Sequence, residues 1–386
     1  MKNRIASFVL ALIIISSFSA SAFAQPSVSA ESAVLVCAEN GKVLFSKNPD
    51  SRMSMASTTK IMTSLIAIEA AIPDKEITVT KEMVSVEGTS MGLVAGDSVS
   101  MNELIYGMLL QSGNDAAHTV ACVLAGSEDG FAKLMNERAA DIGMKNSSFA
   151  TASGLDRENH YSTAYDMALL ACECIKNPVF ASICSKKSAR LTYGNPPYAR
   201  TLTNHNRLLW SYEGCIGLKT GFTKKSGRCL VSAAKRDGIT LVAVTLNAPN
   251  DWNDHISMLD YGFSQLEGFE LSCDLSNIKL PICGGKQSFV NLRQSFNPIY
   301  PADGSGYSCE ILIRRFEYAP IKQGAVLGKA VYYSGGKVIA EVPLEASETV
   351  ERKTVIKAAE NEEKGAFFDL IEKIKELFRG EFKIGR

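Results

Sequence analysis

Net charge is what this sequence most plainly lacks: 41 Lys plus Arg are balanced by 41 Asp plus Glu. Without a basic excess there is no broad positive field, so nucleic acid is not an expected partner. Histidine is scarce too. His118, His160, His205 and His255 stand in no metal-ligand spacing and no C-x-x-C occurs, so a zinc site is not expected. Beyond the N-terminus no segment is apolar enough to span a bilayer, which takes about 20 residues.

The N-terminus is different. Lys2 and Arg4 precede an apolar run over residues 6–15, and a small, polar stretch follows that ends in Ala22-Phe23-Ala24. A basic start, a short apolar core and an A-x-A site read as a secretory signal peptide spanning residues 1–24. The mature chain is then exported and carries all ten cysteines. An exported protein can pair them. These are scattered through apolar stretches, where cysteine behaves as a small hydrophobe, so mostly free thiols are expected.

Apolar runs over residues 32–37 and 42–46 flank Asn40-Gly41, the signature of a tight hairpin. Helical spacing marks residues 57–71, 103–110, 116–124, 130–142 and 251–265. Strands are expected at 227–234 and 239–246, joined at Arg236-Asp237-Gly238. Helices enclosed by strands imply an α/β (α+β) domain with an antiparallel sheet over residues 25–268. After about residue 267, short strand-like runs separated by Gly and Pro imply a small all-β domain, residues 269–355. Residues 356–386 form a Glu/Lys-rich linker and an amphipathic helix. Phe367, Phe368, Leu370, Ile371, Ile374, Leu377 and Phe378 share one face, a pattern suited to lying in a membrane interface. The same pattern fits a helix packed on its own protein.

Three short motifs carry the chemistry: Ser57-Thr58-Thr59-Lys60, Ser112-Gly113-Asn114 and Lys219-Thr220-Gly221. S-x-x-K, S-x-N and K-T-G in this order mark penicillin-binding proteins and class A β-lactamases. Alone each is weak. Ser334-Gly335-Gly336-Lys337 and Ser295-Phe296-Asn297 match two of them in turn-like segments without partners. On a helix, Ser57 and Lys60 share a face. The lysine amine then reaches the hydroxyl and serves as its base, provided burial or a second cation such as Lys219 lowers its pKa. A helix start at Ser57 also aims backbone N–H groups at a developing oxyanion.

Longer strings make the pattern specific: residues 53–60, Gly88-Thr89-Ser90-Met91, residues 110–117 and residues 217–223. On these the sequence resembles the low-molecular-mass penicillin-binding proteins, the serine-type D-alanyl-D-alanine carboxypeptidases. The resemblance implies a DD-peptidase/β-lactamase-like fold and no cofactor. It implies that Ser57 is acylated, Lys60 accepts its proton and Ser112 relays a proton to the leaving D-alanine. Asn114 would hold the substrate amide, Lys219 support the proton network and Thr220 bind the terminal carboxylate. Backbone N–H groups of Ser57 and Phe222, next to Gly221, would form the oxyanion hole. Peptidoglycan stem peptides, β-lactam inhibitors and, through the tail, the outer face of the cytoplasmic membrane are the implied partners. The sequence departs from the family at His205, which stands where relatives have a carboxylate-binding Arg; binding and loop packing both fit it. Phe222 replaces a His found in some relatives.

Three other readings remain open. A class A β-lactamase needs a Glu to activate the deacylating water, and Glu158-Asn159 does not match the expected string. A silent peptidoglycan-binding or penicillin-sensing module would not need Ser57, Lys60 and Lys219 intact. A D,D-endopeptidase would use the same chemistry.

Overall fold

The computed structural model describes residues 25–302, 306–354 and 371–373. The segment expected to be a signal peptide lies outside the described residues, as does the tail except for residues 371–373, which are helical.

The first of two compact units holds the described residues up to Leu271 together with Pro298–Gly306. At the 268/269 boundary drawn from the sequence, the chain is still inside this unit. Its sheet begins with the hairpin β1 (Ser32–Cys37) and β2 (Val43–Lys47), which turns at Gly41 with φ +72°. Short β3 (Glu76–Thr78) pairs with β4 (Ser98–Ser100), and β5 (Ser188–Gly194) with β6 (Pro197–Thr203). The main sheet is completed by β7 (Cys215–Thr223), β8 (Gly227–Arg236) and β9 (Ile239–Leu246), in the order β2-β1-β9-β8-β7, antiparallel throughout. Asp237 and Gly238 link β8 to β9 with φ of +48° and +79°, the pair of left-handed residues a two-residue hairpin needs.

Both faces of this sheet are covered. Val34, Val36, Val231 and Val244 enter a core with the helices α1 (Lys60–Glu69), α2 (Met101–Leu109), α3 (Asn114–Ala125), α4 (Glu128–Ile142), α5 (Ala164–Lys176) and α6 (Pro178–Cys184). The alternate residues Ala33, Leu35, Leu230 and Ala243 enter a second core with α8 (Asp251–Gln265), which follows one-turn α7 (Leu208–Ser211). Double coverage explains why β1 and β9 read as continuous apolar runs. The architecture is the expected α+β one.

The second unit comprises Ser272–Asn297 and the described residues from Tyr307 onward. It carries a six-stranded sheet, antiparallel except for one parallel pair. Ser334-Gly335-Gly336-Lys337 is the turn of its longest hairpin, with Gly335 and Gly336 at positive φ. The ten cysteines are all free thiols.

Candidate active site

Ser57 does not begin a regular α-helix. It lies in a 3₁₀ turn, Ala56–Thr59, that leads into α1. Thr58 and Thr59 donate back to Met55 O (2.6 Å) and Ala56 O (2.8 Å) and close the turn. Ala56 holds φ at +47°, a conformation rare outside glycine and kept here by surrounding packing. The turn leaves Ser57 partly exposed and drives Lys60 into full burial.

Three acceptors surround the Lys60 amine. Nζ is 2.9 Å from Ser57 Oγ, 2.7 Å from Asn114 Oδ1 and 2.5 Å from Ser153 O. Burial pushes the Lys60 pKa far down, the positive charge of Lys219 pushes it further, and Asp115 opposes both. The neutral amine so favoured has two N–H groups and one lone pair. Asn114 Oδ1 and Ser153 O can only accept, so they take the two N–H groups. The lone pair is left facing the Ser57 hydroxyl, the geometry of a general base.

Ser112 stands between α2 and α3 at φ +61°, nearly buried, and lines the same cleft as Ser57. Asn114 starts α3. Its Nδ2 donates to Glu87 O (2.6 Å) and its amide to Thr89 O (2.6 Å). Both ends of its side chain are thus engaged by the protein. Oδ1 accepts from Lys60 while Nδ2 donates to Glu87 O, so Asn114 is held against the amine. Asp115 takes Ser90 Oγ, Met91 N and Leu93 N, fastening the segment that follows Gly88. A Cβ at Gly88 would meet Asn114 Nδ2 at 2.6 Å, which accounts for the glycine of that string.

Lys219 lies within edge strand β7, which runs ahead of the β8–β9 pair. It is buried, donates to Thr220 O (2.9 Å), and burial lowers its pKa to about 7. Gly221 brings β7 against the serine turn: a Cβ there would stand 3.0 Å from both Met55 O and Ser57 N. Thr220, Gly221 and the 66% exposed Phe222 line the cleft. His205 lines it as well, its pKa lowered by partial burial and then by Lys219. Buried Asn204 and Asn206 pin the backbone on either side of it. Cys215, at the start of β7, is half-buried with its thiol pushed up to about 11, so it is no nucleophile at neutral pH.

The cleft measures about 330 Å³. Sequence reasoning missed Arg207, Arg228, Asp251 and Trp252 in its lining and the Ser153 carbonyl behind it. Arg228 and Asp251 belong to no motif; only cross-strand pairing and the start of α8 bring them together. Among the described lining residues Asp251 is the one acid, and no Glu is present to serve as a β-lactamase base.

A helical cluster over an antiparallel sheet, with the three motifs meeting at one cleft, defines the penicillin-binding, DD-peptidase class. The description "D-alanyl-D-alanine carboxypeptidase" fits residues 19–250, and "Penicillin-binding protein 5, C-terminal domain" fits residues 305–352. The chain is 35% identical to D-alanyl-D-alanine carboxypeptidase DacF of Bacillus subtilis over 374 residues, 91% of this chain and 95% of the relative. It is 34% identical to D-alanyl-D-alanine carboxypeptidase DacC of Escherichia coli over 358 residues, covering 84% and 85%. Penicillin-binding protein 5 of Haemophilus influenzae superposes with a TM-score of 0.61 at 28% identity, covering 86% of this chain and 100% of that one. The chain belongs to the serine-type D-alanyl-D-alanine carboxypeptidase family.

Proposed function

We propose that this protein removes the terminal D-alanine of peptidoglycan pentapeptide stems through an acyl-enzyme on Ser57. The observation that carries the reading is the Lys60 amine, buried, deprotonation-prone and 2.9 Å from the Oγ of Ser57, which lines an open cleft. Lys60 takes the hydroxyl proton as Ser57 Oγ bonds to the carbonyl carbon of the penultimate D-alanine. The carbonyl oxygen becomes an oxyanion facing the backbone N–H groups of Ser57 and Phe222. Ser112 passes the proton to the leaving amine, the C–N bond breaks and D-alanine departs. Water then attacks the ester by the same proton route and returns Ser57 to its free form. A positioned base of this kind contributes about 10²–10⁴-fold.

β-Lactams enter the same path and stay on Ser57. No metal or organic cofactor takes part in these steps. The enzyme acts outside the cell, exported by residues 1–24 and held to the outer face of the cytoplasmic membrane by the amphipathic tail. Trimming the donor stems there limits crosslinking.

The test is D-alanine release from an acyl-Lys-D-Ala-D-Ala peptide by signal-free protein and by Ser57→Ala. Release that disappears in the variant supports the reading. A well-folded wild type that releases none points to a sensing module or, if crosslinked wall is cut, to an endopeptidase. Deleting residues 367–386 should move the protein out of membrane fractions, and retention there would count against the anchor.

A further inference from the structure

The cleft around Ser57 is lined by three basic side chains, His205, Arg207 and Arg228, against the single acid Asp251. Asp251 is already taken. Its Oδ1 accepts from Arg228 Nε (3.0 Å) and Nη2 (2.8 Å), and its side chain is only 3% exposed. The lining therefore keeps a positive balance, suited to an anion. Arg207 is exposed and makes no side-chain hydrogen bond among the described residues. Arg228 is fixed: Asp251, the first residue of α8, holds one edge of its guanidinium, and its plane lies 5.7 Å from the ring of Trp252. Among the described residues Nη1 has no protein hydrogen-bond partner, and the side chain, 43% exposed, lines the cleft.

Strand register places this guanidinium relative to the K-T-G motif. Arg228 on β8 is paired with Phe222 on β7, and Leu230 with Thr220. Cross-strand partners point to the same face, and side chains two residues apart along a strand do too. Thr220 and Arg228 are therefore diagonal neighbours on one face, within reach of a long side chain. A carboxylate between them can accept from the Thr220 hydroxyl with one oxygen and from Nη1 with the other.

We propose that Arg228 is the receptor for the free C-terminal carboxylate of the substrate, with Asp251 as its positioning residue. This rests on the reading of the cleft as a D-alanine-releasing site. It assigns the preference for a free chain end to a side chain outside the three motifs. Asp251 keeps the guanidinium in place before substrate arrives, so little side-chain entropy is lost on binding.

The test compares wild type, Arg228→Gln and Asp251→Asn on acyl-Lys-D-Ala-D-Ala and on the same peptide with a C-terminal amide. A charge-assisted hydrogen bond lost to Arg228→Gln should lower kcat/KM on the acid about 10–100-fold, mainly through KM. The amide should change less than about twofold in that variant, because the neutral end never used the charge. Asp251→Asn should show a smaller loss confined to the acid. Added guanidinium should restore part of the acid activity of Arg228→Ala. Equal losses on both peptides, or an undiminished acid rate, would overturn the proposal. Binding of the two peptides to Ser57→Ala protein, read by calorimetry, decides the matter even where turnover is absent. A preference for the acid that vanishes with Arg228→Gln supports the assignment, and equal binding of acid and amide to the parent overturns it.

Discussion

The charge of Lys219 acts directly on the amine of Lys60, and both side chains are buried. In the proposed mechanism Lys60 works only as the free amine, so kcat/KM should rise with pH as it loses its proton. A positive neighbour makes the protonated form less favourable and moves that rise to lower pH. Lys219→Gln removes the charge, and the rise should then shift to higher pH, beyond any fall in the maximum rate. Burial lowers the Lys219 pKa to about 7, so the charge it would bring to the proton network is lost above that point and the wild-type profile should bend downward there. The bend should be missing in Lys219→Gln. Profiles of kcat/KM on an acyl-D-Ala-D-Ala peptide check both; an unmoved acid limb would remove Lys219 from the electrostatic account.

Asn114 Oδ1 lies 2.7 Å from Lys60 Nζ and is neutral. Asn114→Asp keeps the shape and adds a negative charge at that distance. The protonated amine is then favoured and the lone pair facing Ser57 is lost. Activity at neutral pH should drop by about 10²-fold or more, the scale of a lost general base. The loss should be partly recovered at high pH. Asn114→Ala should also lose activity, through a displaced amine, but without that recovery. Comparing the two at pH 7 and pH 10 separates charge from packing.

Much of this was legible from short stretches of chain, and the exceptions share a cause. The β1–β2 and β8–β9 hairpins announced themselves through Asn40-Gly41 and Asp237-Gly238, because only a few residues adopt the backbone those turns need. Helix α8 was bounded correctly at both ends. The extent of strand β7 is not legible because Gly217, Lys219, Thr220 and Gly221 have poor strand propensity; it is held by pairing to β8 and by the core beneath it. The ribbon β5–β6 exposes most of both faces, so no alternating apolar pattern marks it. Helices α5 and α6 did carry signals that went unread, the Thr163 cap over Asp166 and Pro178 just after Asn177. Ser57, Lys60 and Ser112 stand out as candidates in the sequence because each is local to a motif. Ser153 is 93 residues from Lys60, and Asp251 is 23 from Arg228 on another element, so neither relationship exists until the chain is folded.

Gly221→Ala tests how closely β7 must approach the serine turn. The added methyl would stand 3.0 Å from Ser57 N, the amide assigned to the oxyanion, and 3.0 Å from Met55 O. Either the strand or the turn must give way by a few tenths of an ångström. Acylation by a fluorescent penicillin should slow by about 10²-fold, the size of losing one oxyanion donor. The melting temperature should fall only modestly, since the strand keeps its pairing. A variant acylated at the wild-type rate would show that the turn is free to yield and that its amide is not critical.

Acid should destabilise the protein through two buried imidazoles. His160 has Nδ1 3.0 Å from the Ala150 N–H and Nε2 2.9 Å from Thr59 Oγ1, and burial lowers its pKa to about 4. His255 lies between Ser232 Oγ and Thr245 Oγ1, with its pKa lowered by burial to about 3. In the unfolded chain both titrate near about 6.5. Between that value and the folded one the unfolded state binds more protons, so stability is full above about pH 6.5 and declines as pH falls toward 4. At pH 4.5 each contributes a loss of about 2–3 kcal/mol relative to neutral pH. Urea unfolding at pH 7.5 and 4.5 should show this drop, with a shallower one in His255→Gln. The His160 share has a further consequence. Protonating Nδ1 sets a new N–H against that of Ala150, and the ring also braces Thr59 in the turn that carries Ser57. Acylation should therefore fail at a higher pH than global unfolding. Coincident loss of the two would mean that the turn is held without His160.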